Sequence, residues 1–167
     1  QMEERIEEQT RALQRSNTAL QFLYDTAKTI IEHDPAGIDY DQIVGHLAQL
    51  IESDDIELCL MTEAGDSPYL QIKPADNPVG LCAAENCNSC LNGETLTNAT
   101  NAAGETGLCR YSFPMLYEQR HYGVLVCRMS NGRELDHWQR QLVQSVADQL
   151  AVALSLQNQQ DNARRLA

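Results

Sequence analysis

Residues 2–31 carry a seven-residue repeat that restricts this segment to a long helix. Apolar residues recur at intervals of seven, and a second position follows each of them after four residues. The first set is Ile6, Leu13, Leu20 and Ala27, and the second set is Thr10, Asn17, Tyr24 and Ile31. This spacing is typical of a helix that pairs with another helix. Because no glycine or proline precedes Pro35, the sequence predicts one uninterrupted helix.

Part of this repeat defines a candidate dimer interface, which we call the seam. The seam consists of Ile6, Thr10, Leu13, Asn17, Leu20 and Tyr24, with charged residues on its flanks. A polar residue such as Asn17 at a seam position tends to fix register and helix number, at some cost in stability. We therefore expect a parallel two-helix coiled coil in a homodimer. The alternative is an amphipathic helix whose apolar stripe packs on its own domain.

The charge of the chain disfavours several kinds of partner. The 167 residues have a formal net charge of −12, and 43% of them are hydrophobic. This composition suits one folded domain with an attached segment, but an acidic surface disfavours direct binding to nucleic acid. No segment approaches the roughly 20 apolar residues of a membrane-spanning helix. Because the sequence begins and ends within charged helical patterns, we expect it to be a piece of a longer protein.

The remainder of the chain alternates between helical and strand patterns. The sequence HDPAG at 33–37 ends the first helix. The patterns then predict helices over 38–53 and 134–165 and strands over 56–62, 69–73, 111–119 and 122–130. The expected buried positions of the two helices are Ile43, Leu47, Leu50 and Ile51, and Leu135, Trp138, Leu142, Val146, Leu150 and Ala153/Leu154. We divide the chain into a helix at 1–34, a domain at 35–156 with a cysteine-containing insert at 74–110, and an exit helix at 157–167.

No group of residues has the spacing of a catalytic site, so no catalytic residue is assigned and this segment is not expected to be an enzyme. The acidic residues Asp54, Asp55 and Glu57 are interpreted as a solvated turn. Arg120 and His121 are expected to form the turn between the last two strands. His46, His121 and His137 are interpreted as a partly buried residue and two surface residues, respectively, and not as ligands.

The six cysteines fall into two groups. Cys59 and Cys127 lie in apolar strand patterns and are expected to be small buried hydrophobic residues. The other four are Cys82, Cys87, Cys90 and Cys109. Their C-x4-C-x2-C spacing with one distant cysteine supplies four thiolates, enough for Zn²⁺ or an iron–sulfur cluster of the plant [2Fe–2S] type. Two alternatives stay open: a reversible disulfide, most easily Cys87–Cys90 or Cys82–Cys109, and unligated thiols.

The order of elements and the motifs within them resemble the GAF family of small-molecule and redox sensor domains. Most of the match lies in SFPMLYEQRHYGVLVCRMSNGRELDHWQRQLVQSVADQLAVAL at 112–154. In it, proline and an apolar residue open one strand, Gly-Val-Leu opens the next, and a helix follows. The resemblance implies an α+β fold with a GAF-like antiparallel sheet flanked by helices. It also implies that a small ligand can lie over the sheet, with the insert as its cover.

The first helix, ERIEEQTRALQRSNTALQFLYDTAKTI, is similar to the signalling helix that follows a HAMP module in membrane receptors. With the DIEL strand, the cysteine-bearing insert and the YGVL motif, it resembles the central cytoplasmic module of NarX-type nitrate/nitrite sensor histidine kinases. This implies a cytoplasmic portion of an inner-membrane protein, placed between HAMP and kinase domains. Such a kinase binds ATP in another domain and acts on a response regulator.

Two functions follow from these observations. The first is signal relay, in which a change in the paired helices at 2–31 passes through the domain to the exit helix and the kinase. The second is redox, iron–sulfur or metal sensing by Cys82, Cys87, Cys90 and Cys109. The ligand of the domain and the sign of its effect on a kinase are not fixed by the sequence.

Overall fold

The computed structural model describes residues 2–32, 38–53, 55–61, 68–72, 95–99, 108–130 and 133–166. The helices of this part are α1 (Met2–Glu32), α2 (Tyr40–Leu50) and α3 (His137–Leu166). Its strands are β1 (Asp55–Met61), β2 (Pro68–Ile72), β3 (Leu96–Ala99), β4 (Leu108–Tyr117) and β5 (Arg120–Met129). The α+β fold class and the long N-terminal helix are confirmed.

The described strands form one antiparallel sheet in the order β2-β1-β5-β4-β3. β5 occupies the centre because β1 pairs with one of its edges and β4 with the other. In the β1–β5 pair, the register runs from Asp55 opposite Arg128 to Leu60 opposite Gly123. The outer strands β2 and β3 pair with β1 and β4, respectively.

α2 and α3 pack on one face of this sheet, α1 packs against α3, and residues of all three helices belong to the main core. Alternate residues of the central strands point into it, as the two-residue period of a strand requires. They are Ile56, Leu58, Cys109, Tyr111, Phe113, Met115, Leu125, Cys127 and Met129. Of the expected helix positions, Ile43, Leu47, Ile51, Leu135, Leu142, Val146, Leu150 and Ala153 are buried, whereas Leu50, Trp138 and Leu154 are half-buried. The predicted buried faces of these two helices are therefore confirmed, with three of their positions only half-buried.

The turn between β4 and β5 lies two residues earlier than predicted. Tyr117 pairs with Arg120, so the connection consists of Glu118 and Gln119. Their φ angles are 50° and 66°, the left-handed values that a tight type I′ hairpin turn demands at both central positions. The prediction that Arg120 and His121 form the turn was wrong, since both lie in β5.

The acidic segment before β1 was also interpreted wrongly at Glu57. This residue lies inside β1 and is only 1% exposed, not in a solvated turn. Asp55 begins the strand, and position 54 lies outside the described residues. Within the predicted insert at 74–110, the structure describes β3 and the start of β4, and positions 74–94 and 100–107 lie outside the described residues.

Candidate functional site

Two faces of α1 have different environments. The first is the docking stripe, formed by Ala19, Phe22, Leu23, Thr26 and Ile30, all of which are buried or half-buried. The second is the seam, whose six residues are all exposed. At 100° per residue, the centres of the two stripes are about 145° apart around the helix. One face of α1 can therefore pack on the domain while the seam points elsewhere.

The seam keeps large apolar side chains in solvent. Leu13, Leu20 and Tyr24 are 64%, 61% and 63% exposed, and Ile6 is 58% exposed. An apolar row of this length on a helix resembles an unpaired coiled-coil surface. The alternative from the sequence, in which this same stripe packs on its own domain, does not match these exposures. The partner of the seam stays a prediction.

Side chains of the domain hold the second half of α1. The ring of Phe22, 4% exposed, meets His46 of α2 edge to face, with ring centroids 4.9 Å apart. From α3, Gln149 Nε2 donates a hydrogen bond of 3.3 Å to the carbonyl oxygen of Leu23. α1 therefore contacts both α2 and α3 at two successive residues, Phe22 and Leu23. His46 is exposed apart from this ring contact, so its expected partial burial is not observed.

Two cavities flank α1 on the N-terminal side of this junction. One of about 330 Å³ lies between α1 and α3, with Leu20, Leu23 and Leu142 in its wall. The other, of about 300 Å³, lies next to the first and shares Ala19, Trp138 and Leu142 with it. Both cavities lie between α1 and the start of α3, so the packing of these two helices leaves space at this place.

The start of α3 is fixed by polar contacts to α2 and β4. Gln139 Oε1 accepts a 2.9 Å hydrogen bond from the N–H of Asp136, which is one half of a capping box. Its Nε2 donates to the carbonyl oxygen of Ile51, at 3.3 Å. The hydroxyl of Tyr111 accepts a 3.1 Å hydrogen bond from the N–H of Leu135. These bonds explain why α3 begins at His137 and not at position 134.

Tyr111 connects one of the predicted ligand cysteines to α3. The guanidinium of Arg140 lies over its ring, 5.1 Å from the centroid. Burial raises the pKa of Tyr111, and a side-chain hydrogen bond with Cys109 raises it further, against the opposing effects of Leu135 and Arg140. Cys109 itself is 6% exposed and belongs to the main core. Its thiol is therefore in contact with a residue that holds the first turn of α3.

The predicted metal site cannot be assembled from the described residues. Cys82, Cys87 and Cys90 lie outside them, so the four-thiolate site stays a prediction. Among the described residues there is no group of three or more side chains suited to a metal ion. Cys59, Cys109 and Cys127 are buried free thiols in that part of the chain. The expectation that Cys59 and Cys127 are buried is confirmed, and complete burial raises the pKa of the Cys127 thiol.

The face of the sheet turned away from the helices carries buried polar residues that the sequence analysis missed. Cys59, Val124 and Val126 form a small apolar cluster there. Beside it lie Glu57, Arg110 and Ser112, which are 1%, 5% and 6% exposed. Arg128 of β5 lies on the same face and is half-buried. The available signal was the alternation in IELC and RYSF, which puts these polar residues on one face of paired strands. We call these seven residues the sheet face.

The strand register orders this sheet face into three rows across β1, β5 and β4. Glu57, Val126 and Ser112 form the middle row, with Cys59, Val124 and Pro114 on one side of it. On the other side, Arg128 pairs with both Asp55 and Arg110. An apolar floor is therefore bordered by charged residues at one end. The remaining predicted surface residues, His121 and His137, are exposed as expected.

Comparison with known proteins identifies the fold family. The model of the GAF domain matches residues 18–154. The GAF domain of a candidate sensor histidine kinase from Pseudomonas syringae pv. tomato superposes with a TM-score of 0.61 at 16% identity, covering 95% of this chain and 99% of that one. The GAF domain of the potassium sensor histidine kinase KdpD from Escherichia coli gives 0.56 at 16% identity, covering 86% and 98%. At these identities the structural likeness shows the fold alone.

Curated relatives come from sensor proteins of enteric bacteria. The nitrate/nitrite sensor protein NarX of Escherichia coli K12 is 24% identical over 165 residues, which are 99% of this chain. The same protein from Shigella flexneri gives the same values. The chain spans 26% of the length of these relatives. No helix in the described part of this chain is long and apolar enough to cross a membrane. With a family match over residues 18–154, the chain belongs to the GAF domain family and is related to the GAF-like part of such sensor kinases.

Proposed function

We propose that this GAF domain relays a conformational signal from α1 to α3 within a sensor histidine kinase. The observation that carries the proposal is the separation of two faces on α1. The docking stripe is buried on the domain, whereas the seam is exposed and apolar. A helix arranged in this way can pair with a second copy and still contact its own domain. Movement of the helix pair would then reach the domain directly.

The contacts on α1 offer a path for that movement. Gln149 joins α3 to the carbonyl oxygen of Leu23, and Phe22 joins α1 to α2. The cavities beside Leu20 and Trp138 leave room for the first half of α1 to tilt or rotate. A shift of about 1–3 kcal/mol in a two-state equilibrium changes an output about 5- to 150-fold. Such a shift is comparable to the loss of one or two of the contacts named above.

α3 carries the response out of the domain. Its last buried residue is Ser155, and most of the residues that follow are exposed up to Leu166. In the proposed kinase, this end leads toward the phosphotransfer and ATP-binding domains, and a response regulator receives the phosphoryl group. We further propose that the segment lies on the cytoplasmic side of an inner-membrane protein, downstream of a HAMP module. The resemblance to NarX supports this placement.

The homodimer is tested by photo-crosslinking at two positions of α1. Benzoylphenylalanine at Leu13, on the seam, is expected to give a covalent dimer on irradiation. The same residue at Thr18, which is also exposed but lies about 140° around the helix, is the matched control and is expected to give little. Equal crosslinking from both positions, or a monomer in sedimentation at all concentrations, would contradict pairing through the seam.

The relay role is tested by exchange with the related kinase. We expect that this chain, placed in Escherichia coli NarX instead of the segment it matches, supports nitrate-dependent output. Asn17→Leu in the chimera should strengthen the helix pair and flatten the response, because a polar seam residue weakens pairing. Gln14→Leu, at an exposed position outside the seam, is the control. An unchanged response in the Asn17→Leu chimera would refute the role of the seam.

Redox or metal sensing by the cysteines is a second candidate function, favoured by one contact. Cys109 touches Tyr111, and Tyr111 holds the N–H of Leu135 just before α3. Ligation or oxidation of Cys109 would therefore act on the start of α3. Iron and zinc analysis of anaerobically prepared protein, compared with a Cys87→Ser/Cys90→Ser variant, tests the metal site. Metal-free wild-type protein would exclude it, and thiol titration would then separate a disulfide from free thiols.

A further inference from the structure

We propose that the space between α1 and α3 binds a small aromatic carboxylate. The proposal goes beyond the relay function and does not depend on it. The space is the cavity of about 330 Å³ whose wall includes Leu20, Leu23 and Leu142. Small-molecule sites in proteins usually measure about 300–1,000 Å³. The cavity therefore has room for a ligand of one or two rings.

Small side chains on α1 create this space. Ala12, Ser16 and Ala19 line the cavity from α1. At 100° per residue, Ala12 lies about 25° from the centre of the docking stripe, so this face of α1 is turned toward α3. Further along the same face, Phe22 and Leu23 make the contacts that hold α1 on the domain. Because alanine and serine are too short to reach across in the same way, the two helices leave a gap.

The wall of the cavity suits an apolar ring. Leu20, Leu23 and Leu142 supply aliphatic surface. The side chain of Trp138 is half-buried and lines both this cavity and the neighbouring one. Its Nε1 is buried and, within the described part of the chain, has no hydrogen-bond partner. The part of the indole that is open to the cavity therefore consists of carbon atoms, on which an aromatic ring can pack edge to face or offset.

The charge of the wall selects an anionic ligand. Among the described residues around the cavity of about 330 Å³, Arg15 is the one charged side chain, in a chain whose net charge is −12. Arg15 also lines the neighbouring cavity, together with Arg11 and Glu52. In the part of the chain that the structure describes, neither arginine takes part in an ion pair. A carboxylate beside Arg15 would match the planar fork of its guanidinium, and a cation would be repelled.

Titration of the chain with naphthoate tests the proposal, followed by calorimetry and by the indole N–H signal of Trp138 in NMR spectra. Trp138 is the single tryptophan of the chain, so this signal needs no further assignment. Naphthamide and naphthylmethylamine carry the same ring with no charge and with the opposite charge. We expect naphthoate to bind about fivefold more tightly than naphthamide, the effect of one exposed charge pair, and the amine to bind most weakly.

Two variants locate the site. Arg15→Gln, at an exposed position, should weaken naphthoate binding about fivefold and leave naphthamide binding unchanged. Arg5→Gln, which removes an exposed arginine of α1 outside both cavities, is the matched control and should change neither. Ser145→Phe fills the cavity from α3 and should abolish the binding of both ligands.

Each of the opposite results overturns the proposal. Absence of heat and of a shift in the Trp138 signal with millimolar naphthoate would do so, as would equal affinity for naphthamide or full affinity in Arg15→Gln. Benzoylphenylalanine at Gln141, in the same wall, tests for a different occupant. A crosslink to a second copy that naphthoate does not reduce would show that the second copy fills the cavity, and would refute the ligand. If Ser145→Phe does not fold by circular dichroism, the comparison of Arg15→Gln with Arg5→Gln decides, because both positions are exposed.

Discussion

Replacing Phe22 with alanine is expected to detach the second half of α1 from the domain. The side chain is 4% exposed and belongs to the main core, where it also meets the ring of His46. Truncating a buried phenylalanine costs about 3–5 kcal/mol of unfolding free energy. With a urea m-value of about 2 kcal/mol/M, the unfolding midpoint should fall by about 1.5–2.5 M.

Leu20→Ala is the matched control for this variant. Leu20 lies two residues away on the same helix but is 61% exposed, and surface substitutions of this kind usually change stability by less than about 0.5 kcal/mol. The pair should be compared by urea denaturation followed by circular dichroism, at protein concentrations too low for association. In sedimentation at higher protein concentration, Leu20→Ala should weaken association, whereas folded Phe22→Ala should associate like the unchanged chain.

The result that would refute this reasoning is a similar midpoint for the two variants. In that case α1 would not be held by its docking stripe, and the path from α1 to α3 through Leu23 and Gln149 would have no structural basis. A large loss in Leu20→Ala at low concentration would equally contradict the assignment of faces. Either outcome would favour the amphipathic alternative, in which the heptad stripe itself packs on the domain.

Three further predictions concern the rest of the domain. Burial raises the pKa of Cys127 above its ordinary value of 9.0. The contribution of the neutral thiol to stability is therefore complete below pH 9 and is lost as the pH rises above 9. Cys127→Val should remove the resulting pH dependence of the unfolding free energy, whose slope approaches about 1.4 kcal/mol per pH unit in alkaline denaturation. Placing Asn-Gly at Glu118 and Gln119, whose φ angles are positive, should raise the unfolding free energy by about 1–2 kcal/mol, and a lower melting temperature would contradict the turn type. Gln139→Ala should cost about 1 kcal/mol by urea titration, while Gln139→Glu keeps the bond from Asp136 and should cost less; equal losses would argue against capping.

The elements with a strong period were predictable from sequence. The heptad pattern of α1 continues over four seven-residue repeats. The buried positions of α3, such as Leu142, Val146 and Leu150, follow the helical period. The β4–β5 hairpin was visible because apolar residues alternate on both sides of a polar turn. In these elements, local pattern and final burial agree, so the pattern alone sufficed.

The remaining features depend on contacts between distant parts of the chain. Glu118 and Gln119 carry no turn signature, and only the pairing of Tyr117 with Arg120 reveals their conformation. Glu57 looks like part of an acidic turn after Asp55, yet β1 extends through it and buries it. The sheet face was hidden for the same reason. Its residues come from three strands, and only the register brings Glu57, Ser112 and Arg128 together.

The bond between Gln149 and α1 ends on a backbone carbonyl, that of Leu23. Every turn of a helix presents an equivalent carbonyl, about 5.4 Å further along the axis. If α1 slides by one turn, Gln149 meets the oxygen of Ala19 or Ala27 and the same hydrogen bond forms again. If α1 does not rotate, intermediate positions place no carbonyl oxygen on the side that faces Gln149. Translation of α1 along this contact would therefore proceed in steps of one helical turn, about 5.4 Å.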